Sequence, residues 1–199
     1  MKIKILFVTV MVLAMMLPVS LISQDQDRGK SPLKPALLVI DIQNAFMGMV
    51  PEGEKEVAMT NISYYIELFR KHGCPIVRIH HQSEEFGVLP GTDAFEFPSS
   101  VPIKDDDPRV VKTYSDAFNK TDLDSILKGS GSNTLFLCGL SSVGCVLATW
   151  IGAQNHDYNA FILKDAIMSH NSDFTNNVEV MFDAVGYEMV KLVLDNSGE

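Results

Sequence analysis

The sequence predicts an α/β protein with three layers, in which helices cover both faces of a mostly parallel β-sheet. Short continuous apolar runs, which are typical of buried parallel strands, alternate with segments whose apolar residues recur at helical spacing. This alternation extends from residue 35 almost to the end of the 199-residue chain, and no internal repeat interrupts it. Strands that alternate with helices in this way favour a single three-layer α/β/α domain.

The first half of the predicted domain contains two strands and one long helix. The first strand is Pro35–Ile40, whose run PALLVI ends at Asp41. Apolar residues recur at helical spacing over Glu54–His72, and a glycine follows as a C-terminal stop. The second strand is Pro75–Ile79. Residues Gly87–Pro108 are rich in Pro, Gly, Ser and Asp, which predicts a long loop of the kind that often carries function.

The second half continues the same alternation. Further strands are predicted at Arg109–Lys112, Thr134–Cys138 and Ala160–Lys164, with a terminal strand near Met189–Leu194. Helices are predicted at Asp122–Lys128, at Cys145–His156 and after the fifth strand. In a sheet of this kind the active site lies at the carboxyl ends of the strands, so residues that follow strand ends are the first candidates for a site.

The first 34 residues are predicted to lie outside this domain. Lys2 and Lys4 precede an apolar run that ends near Pro18, which is the order of a secretory signal peptide over residues 1–23. The alternative is an uncleaved membrane anchor, although the run is short for a span. Residues 24–34 are polar and indicate a linker to the domain at 35–199. We therefore expect an exported protein, periplasmic or secreted, with no membrane contact after cleavage.

The charge of the chain argues against two classes of binding partner. The formal net charge is −9, and an acidic surface does not bind nucleic acid or anionic lipid. The three cysteines are too few and odd in number for a disulfide framework, so at least one free thiol is expected.

The loop from Gly139 to Cys145 is the most informative segment. It lacks the Gly-Lys-Ser/Thr of a P-loop, the spacing of a dinucleotide fingerprint and the second glycine of a nucleophile elbow. It does place Cys145 at the start of a helix, where the helix dipole and free N–H groups would stabilise a thiolate, lower its pKa and bind an oxyanion. The alternative is a buried structural cysteine.

Two charged residues follow other strand ends. Asp41 ends the first strand, where it either caps the following turn or acts as a partly desolvated base. Lys112 ends another strand and is either a surface lysine or a cation over the same edge of the sheet. Together with Cys145 they would form a nucleophilic site made of a thiol, a carboxylate base and a fixed cation.

Four segments, in order, resemble the isochorismatase-like cysteine hydrolases, together with LKDA at a later strand end. They are ALLVIDIQNAF (36–46), LPGTDAFEF (89–97), VVKTYSDAFNKTDLDSIL (110–127) and LFLCGLSSVGCVLATW (135–150). The resemblance implies that Cys145 is the nucleophile, that Asp41 transfers protons and that Lys112 orients Asp41. It also implies a cis peptide at Leu140–Ser141 and an oxyanion hole formed by the N–H groups of Ser141 and Cys145.

The resemblance implies an amidohydrolase that cleaves a C–N bond of a small amide or N-carbamoyl compound through a covalent thioester. Two alternatives stay open: an ether hydrolase of the isochorismatase type, which does not need the cysteine, and a non-catalytic domain that binds a ligand or partner. Family members of this kind are expected to form homodimers or homotetramers. No cofactor is expected.

The chain departs from one part of the family pattern, the metal-binding motif. Nicotinamidase-type members carry an Asp-x-His metal motif near the second strand, whereas this chain has Arg78-Ile79-His80-His81-Gln82. Adjacent histidines on a strand point to opposite faces, so we expect no structural or catalytic zinc. Residues proposed to line the substrate pocket are Phe46, His81, Gln82, Tyr114 and Phe118; the three aromatic residues could equally belong to the core.

Overall fold

The computed structural model describes residues 32–197, and the strands there form one five-stranded parallel sheet in the order β3-β2-β1-β4-β5. The strands are β1 (Pro35–Ile40), β2 (Ile76–His81), β3 (Arg109–Lys112), β4 (Thr134–Leu140) and β5 (Asn159–Met168). The predicted signal peptide and residues 24–31 of the predicted linker lie outside the described residues.

Helices cover both faces of the sheet. They are α1 (Asn44–Met47), α2 (Glu52–Lys71), α3 (Leu123–Gly129), α4 (Leu147–Asn155), α5 (Ser172–Met181) and α6 (Tyr187–Asn196). Alternate residues of β1 enter two separate apolar clusters: Leu37 and Val39 pack with α2 and α6, and Leu38 and Ile40 with α3 and α4. The predicted three-layer α/β/α fold is therefore confirmed. None of the helices in the described residues combines the length and apolar character of a membrane span.

The predicted terminal strand is wrong, because residues 187–196 form helix α6. Val190 and Leu194 are buried and four positions apart, whereas Met189 and Leu192 are exposed, which is helical and not strand spacing. The Tyr187 ring meets that of Tyr64 on α2 edge-on at 5.1 Å between centroids. Burial against α2 therefore favours the helix over the strand that the apolar run alone indicates.

The ends of β1 and β4 approach each other closely. Gly139 pairs with Ile40 in the register of the two strands and has φ 117°. A Cβ atom at Gly139 would collide with the backbone of Ile40, so only glycine fits there. Asp41, the next residue, also has a positive φ of 51°. This close approach brings the end of β1 next to the loop that follows β4.

An ion pair anchors the long loop between β2 and β3. Arg70 of α2 donates to both carboxylate oxygens of Asp107 at 3.0 Å, and the Lys104 backbone N–H donates to the same carboxylate at 2.7 Å. Burial alone would raise the pKa of Asp107, but the hydrogen bonds and charge of Arg70 and the Lys104 N–H hold it below its usual value. The ionised form of Asp107 therefore stabilises the fold.

Replacing Asp107 with alanine is expected to lower the free energy of unfolding at neutral pH by about 2–3 kcal/mol, because Arg70 loses its charged partner. Since the folded pKa is depressed, this contribution is present above the pKa of an unfolded aspartate and is lost as pH falls through the folded value. Urea unfolding at neutral and acid pH measures both effects. The exposed neighbour Asp106 serves as control, and an equal loss in Asp106→Ala contradicts the assignment.

Candidate active site

A buried ion pair lies at the carboxyl edge of the sheet. Lys112 is the last residue of β3, and β2 lies between β3 and β1 in the sheet. The Lys112 side chain spans this distance, and its Nζ donates a hydrogen bond to Asp41 Oδ2 at 2.6 Å. The Lys112 side chain is 0% exposed and that of Asp41 is 4% exposed. Asp41 Oδ1 accepts no hydrogen bond of regular geometry from the described residues. One oxygen of this carboxylate is thus fixed by a cation, and the other stays available to a reacting group.

Cys145 approaches the same carboxylate from the next strand. It sits in an irregular helical turn, Ser142–Val146, that joins β4 to α4 and contains Gly144 with non-helical φ and ψ angles. The Ser141 carbonyl accepts the backbone N–H groups of Gly144 and Val146 at 2.9 and 3.1 Å, which ties the turn to the end of β4. Donor atoms of Asp41, His81 and Cys145 lie within 4.8 Å of one another.

The electrostatics of the site keep the thiol protonated. Burial raises the pKa of Cys145 to about 11, the negative charge of Asp41 adds to the rise, and Lys112 opposes it. The expected lowering of the thiol pKa at the helix start is not met, because burial and the nearby Asp41 carboxylate both disfavour the thiolate. Burial also raises the pKa of Asp41, against the hydrogen bond and charge of Lys112. A protonated thiol can act as a nucleophile only if a nearby group accepts its proton, and the Asp41 carboxylate is close enough to do so.

His80 and His81 point to opposite faces of β2, as expected. The His80 ring is buried and stacks between Phe95 and Phe97, at 4.9 and 4.2 Å between centroids. His81 instead faces the ion pair, with its Nδ1 at 3.3 Å from Lys112 Nζ. The two rings are thus separated by the sheet itself.

The donor set of the site suits a metal ion poorly. Asp41, His81 and Cys145 are close enough to share a cation. However, the Lys112 ammonium already contacts both the Asp41 carboxylate and the His81 ring, so it occupies the position between them and balances the carboxylate charge. A divalent ion there would meet a buried positive charge at short range. The arrangement is that of a thiol, a base and a fixed cation.

A cavity of about 260 Å³ opens above these groups. Its lining residues are Asp41, Phe46, Met49, His81, Phe86, Ser115, Leu140, Ser141 and Cys145. The predicted residues Phe46, His81 and Ser141 therefore face the same space as the predicted base and thiol. The peptide bond between Leu140 and Ser141 is cis, as the family resemblance implies.

Three predicted pocket residues lie elsewhere. Phe118 is 7% exposed and packs in the core, where its ring stacks on His156 at 4.7 Å. Tyr114 lies on the surface, and its hydroxyl accepts a hydrogen bond from Lys120 at 2.9 Å. Gln82 does not line the cavity; its backbone N–H donates to the Lys112 carbonyl at 2.8 Å. The loop after β3 turns its aromatic side chains away from the cavity and presents Ser115 instead.

Gln43 is a structural support that the sequence reasoning missed. It is fully buried, and its side chain accepts the His81 N–H at 2.7 Å and donates to the His81 and Phe95 carbonyls at 3.0 and 2.9 Å. This double contact fixes the backbone of His81 beside Asp41. The available signal was a polar residue two positions beyond Asp41 at the end of a buried strand.

A second missed support holds the cysteine turn from the other side. Glu54 of α2 accepts hydrogen bonds from the Thr175 hydroxyl at 2.6 Å, the Ser172 hydroxyl at 2.6 Å and the Ser169 N–H at 2.9 Å. Thr175 in turn contacts the buried hydroxyl of Ser142 at 3.2 Å. The sequence offered no sign of this network, because its members come from three distant segments.

The family to which the chain belongs follows from comparison with known proteins. The family model of the isochorismatase domain matches residues 35–189. The isochorismatase family protein YddQ of Bacillus subtilis is 32% identical over 136 residues, covering 66% of this chain and 76% of YddQ. A probable inactive nicotinamidase from Arabidopsis thaliana is also 32% identical, over 66% of this chain and 79% of its own.

Solved structures give the same result. The N-carbamoylsarcosine amidase of Thermoplasma acidophilum superposes with a TM-score of 0.66 at 25% identity, covering 77% of this chain and 95% of the amidase. A family model that spans nearly the whole described domain, relatives of similar length and a shared parallel sheet agree with one another. The chain belongs to the isochorismatase family of hydrolases.

Proposed function

We propose that this protein is a cysteine-dependent amidohydrolase that cleaves a C–N bond of a small amide or N-carbamoyl compound. The observation that carries the proposal is the convergence of three groups. The Cys145 thiol, the free Oδ1 of Asp41 and the Lys112 ammonium on Oδ2 meet beneath one cavity. A thiol beside its base, with the base oriented by a third group, is the arrangement used for nucleophilic catalysis.

The first half-reaction forms a thioester. Asp41 takes the thiol proton as Cys145 Sγ attacks the carbonyl carbon of the amide, and the carbonyl oxygen becomes an oxyanion. The N–H groups of Ser141 and Cys145 stabilise this oxyanion. When the C–N bond breaks, Asp41 returns the proton to the nitrogen, and ammonia or an amine leaves. Lys112 keeps its contact with Asp41 while the carboxylate gains and loses the proton.

The second half-reaction releases the acid. Water takes the place of the amine, Asp41 removes one of its protons, and the hydroxide equivalent attacks the thioester carbon. The thiolate leaves and recovers the proton from Asp41. The raised thiol pKa agrees with this scheme, because a thiol that is protonated at neutral pH requires a base at contact distance. The solved amidase that shares the fold gives independent support for C–N chemistry.

The test combines turnover with chemical modification of the thiol. Ammonia release is measured over a panel of primary amides and carbamoyl compounds, and intact mass spectrometry is used to look for the acyl-enzyme. Modification by iodoacetamide is compared in the wild type and in Cys74→Ser, which removes the other partly exposed thiol. We expect alkylation to stop turnover in both. Cleavage of isochorismate but of no amide would instead support the ether hydrolase, and full turnover after alkylation excludes the thioester.

A further inference from the structure

We propose that the cavity selects uncharged amides with an apolar body and rejects amides that carry a carboxylate. This inference rests on the proposed amidohydrolase function and names its substrate class. Apart from Asp41 and Cys145, the cavity is lined by the apolar residues Phe46, Met49, Phe86 and Leu140, and by the uncharged polar residues His81, Ser115 and Ser141. Among the described residues, no arginine and no lysine lines this space.

Lys112 lies next to the cavity, but its ammonium is not available to a substrate. The Lys112 side chain is 0% exposed, and its ammonium is engaged by Asp41 Oδ2 at 2.6 Å and by His81 Nδ1 at 3.3 Å. It therefore faces the protein and is absent from the cavity lining. A carboxylate on the substrate would have to displace Asp41 to reach it.

His81 does not supply a positive charge either. Burial lowers its pKa, the charge of Lys112 lowers it further, and Asp41 opposes both. Because Lys112 donates to Nδ1, the neutral ring carries its proton on Nε2 and offers a substrate one neutral donor. The same ring lies 6.3 Å from that of Phe46 between centroids, so this wall is mainly aromatic.

An anionic group in this cavity would be desolvated without a partner. Moving a carboxylate out of water is costly unless it is paired, and Asp41 would add repulsion at short range. The net charge of −9 also disfavours the approach of an anion. The apolar walls, by contrast, suit a ring or alkyl chain: a dry apolar cavity of about 150 Å³ holds benzene, and this cavity measures about 260 Å³.

Exposed apolar side chains at the mouth of the cavity also favour an apolar substrate. Phe86 is 70% exposed and Met49 is 57% exposed, and both lie at the rim of the cavity. Large apolar groups held in water next to a reactive site gain contacts when an apolar ligand enters. The rim therefore favours the same class of ligand as the walls.

The experiment compares amides matched in size. Terephthalamide and 4-carbamoylbenzoate differ essentially in charge, and benzamide and acetamide differ in apolar body. We expect kcat/KM to be about 100-fold higher for terephthalamide than for 4-carbamoylbenzoate, and about tenfold higher for benzamide than for acetamide. Equal or better hydrolysis of 4-carbamoylbenzoate overturns the substrate class while leaving the amidohydrolase function intact.

Binding to Cys145→Ala separates the two proposals. This variant keeps the cavity walls, so calorimetric titration with the same compounds reports selection without turnover. Tighter binding of terephthalamide than of 4-carbamoylbenzoate supports the class even if no amide is hydrolysed, in which case the proposed function alone fails. Equal binding, or a preference for the anion, overturns the class.

A variant that adds a cation tests the cause of the selection. Phe86→Arg places a positive charge at the rim and is expected to reduce the preference for terephthalamide about fivefold. Val180→Arg on α5 makes the same change in net charge at an exposed position away from the cavity, and it should leave the preference unchanged. An equal shift in both variants means that overall charge, and not the cavity lining, sets the preference.

Discussion

Alanine at position 145 is expected to lower the kcat of amide hydrolysis by at least about 10⁴-fold, because it removes the thiol that forms the proposed thioester. The Asp41–Lys112 ion pair does not depend on the thiol, since its 2.6 Å contact lies on the other carboxylate oxygen. The variant should therefore fold normally. Ammonia release under substrate saturation and thermal unfolding of the same preparation measure the two quantities together.

Cys74→Ala is the matched control for this loss. Cys74 is partly buried and lies before the start of β2, away from the cavity, where its Sγ contacts the His72 carbonyl at 3.9 Å. Its removal should change kcat by no more than about twofold, because it touches no reacting group. Cys138 is a poorer control, since it is fully buried and its truncation would leave a cavity in the core. If Cys145→Ala keeps a tenth of the wild-type rate, the covalent mechanism is wrong.

The positions of the reacting groups could be predicted because they follow from parallel sheet geometry. Asp41 follows the buried strand β1, Lys112 ends the edge strand β3, and Cys145 follows the end of β4 after a short loop. The carboxyl ends of parallel strands share one edge of the sheet, so residues distant in sequence meet there. The apolar runs predicted the strands and therefore the edge of the sheet at which these residues lie. The family resemblance predicted the chemical role of each residue.

The walls of the cavity were predicted less well, because loops set them. The loop after β3 was expected to contribute Tyr114 and Phe118, yet one of these is solvated and the other lies in the core. Their direction depends on where the loop turns, which local sequence does not determine. Phe86 and Met49 were not predicted as lining residues for the same reason. Each lies in an irregular segment, and the tertiary fold determines how close that segment comes to the site.

The protonation state of the Cys145 thiol could not be predicted from the sequence either. A cysteine at a helix start predicts a lowered pKa, but the turn around Cys145 is irregular and buried beside a carboxylate. Desolvation and like charge depend on what packs above the loop, and that information comes from distant segments. The raised thiol pKa favours the proposed order of steps, in which the thiol proton moves to Asp41 as the sulfur attacks, over attack by a preformed thiolate.

Replacing Lys112 with methionine is expected to affect both stability and activity. Methionine retains most of the apolar stem, but the Asp41 carboxylate is left buried without its cation. Breaking a buried ion pair from one side costs about 3–5 kcal/mol. The exposed pair of Lys191 and Asp195, also at 2.6 Å, provides the comparison: Lys191→Met should cost far less than Lys112→Met, because solvent screens an exposed ion pair. Urea unfolding of both variants measures the difference, and equal losses contradict a structural role for the buried pair.

The dependence of this loss on pH identifies its cause. Without Lys112 the pKa of Asp41 rises further above its usual value, because burial then acts unopposed by the ammonium. A carboxyl group whose folded pKa exceeds its unfolded pKa binds more protons in the folded state, so stability falls as pH rises between the two values. The deficit of Lys112→Met should accordingly shrink as the solution is acidified towards the pKa of an unfolded aspartate. A deficit that is constant with pH would indicate lost packing.

Removing both charges separates stability from catalysis. In Asp41→Asn with Lys112→Met no buried charge is left unpaired, so most of the lost stability should return. Hydrolysis should not return, because the asparagine amide cannot accept the proton of a thiol whose pKa is about 11 in the wild type. A double variant that is stable but inactive shows that the ion pair is retained for proton transfer at Asp41. A double variant that is both stable and active shows that the mechanism does not need the Asp41 carboxylate.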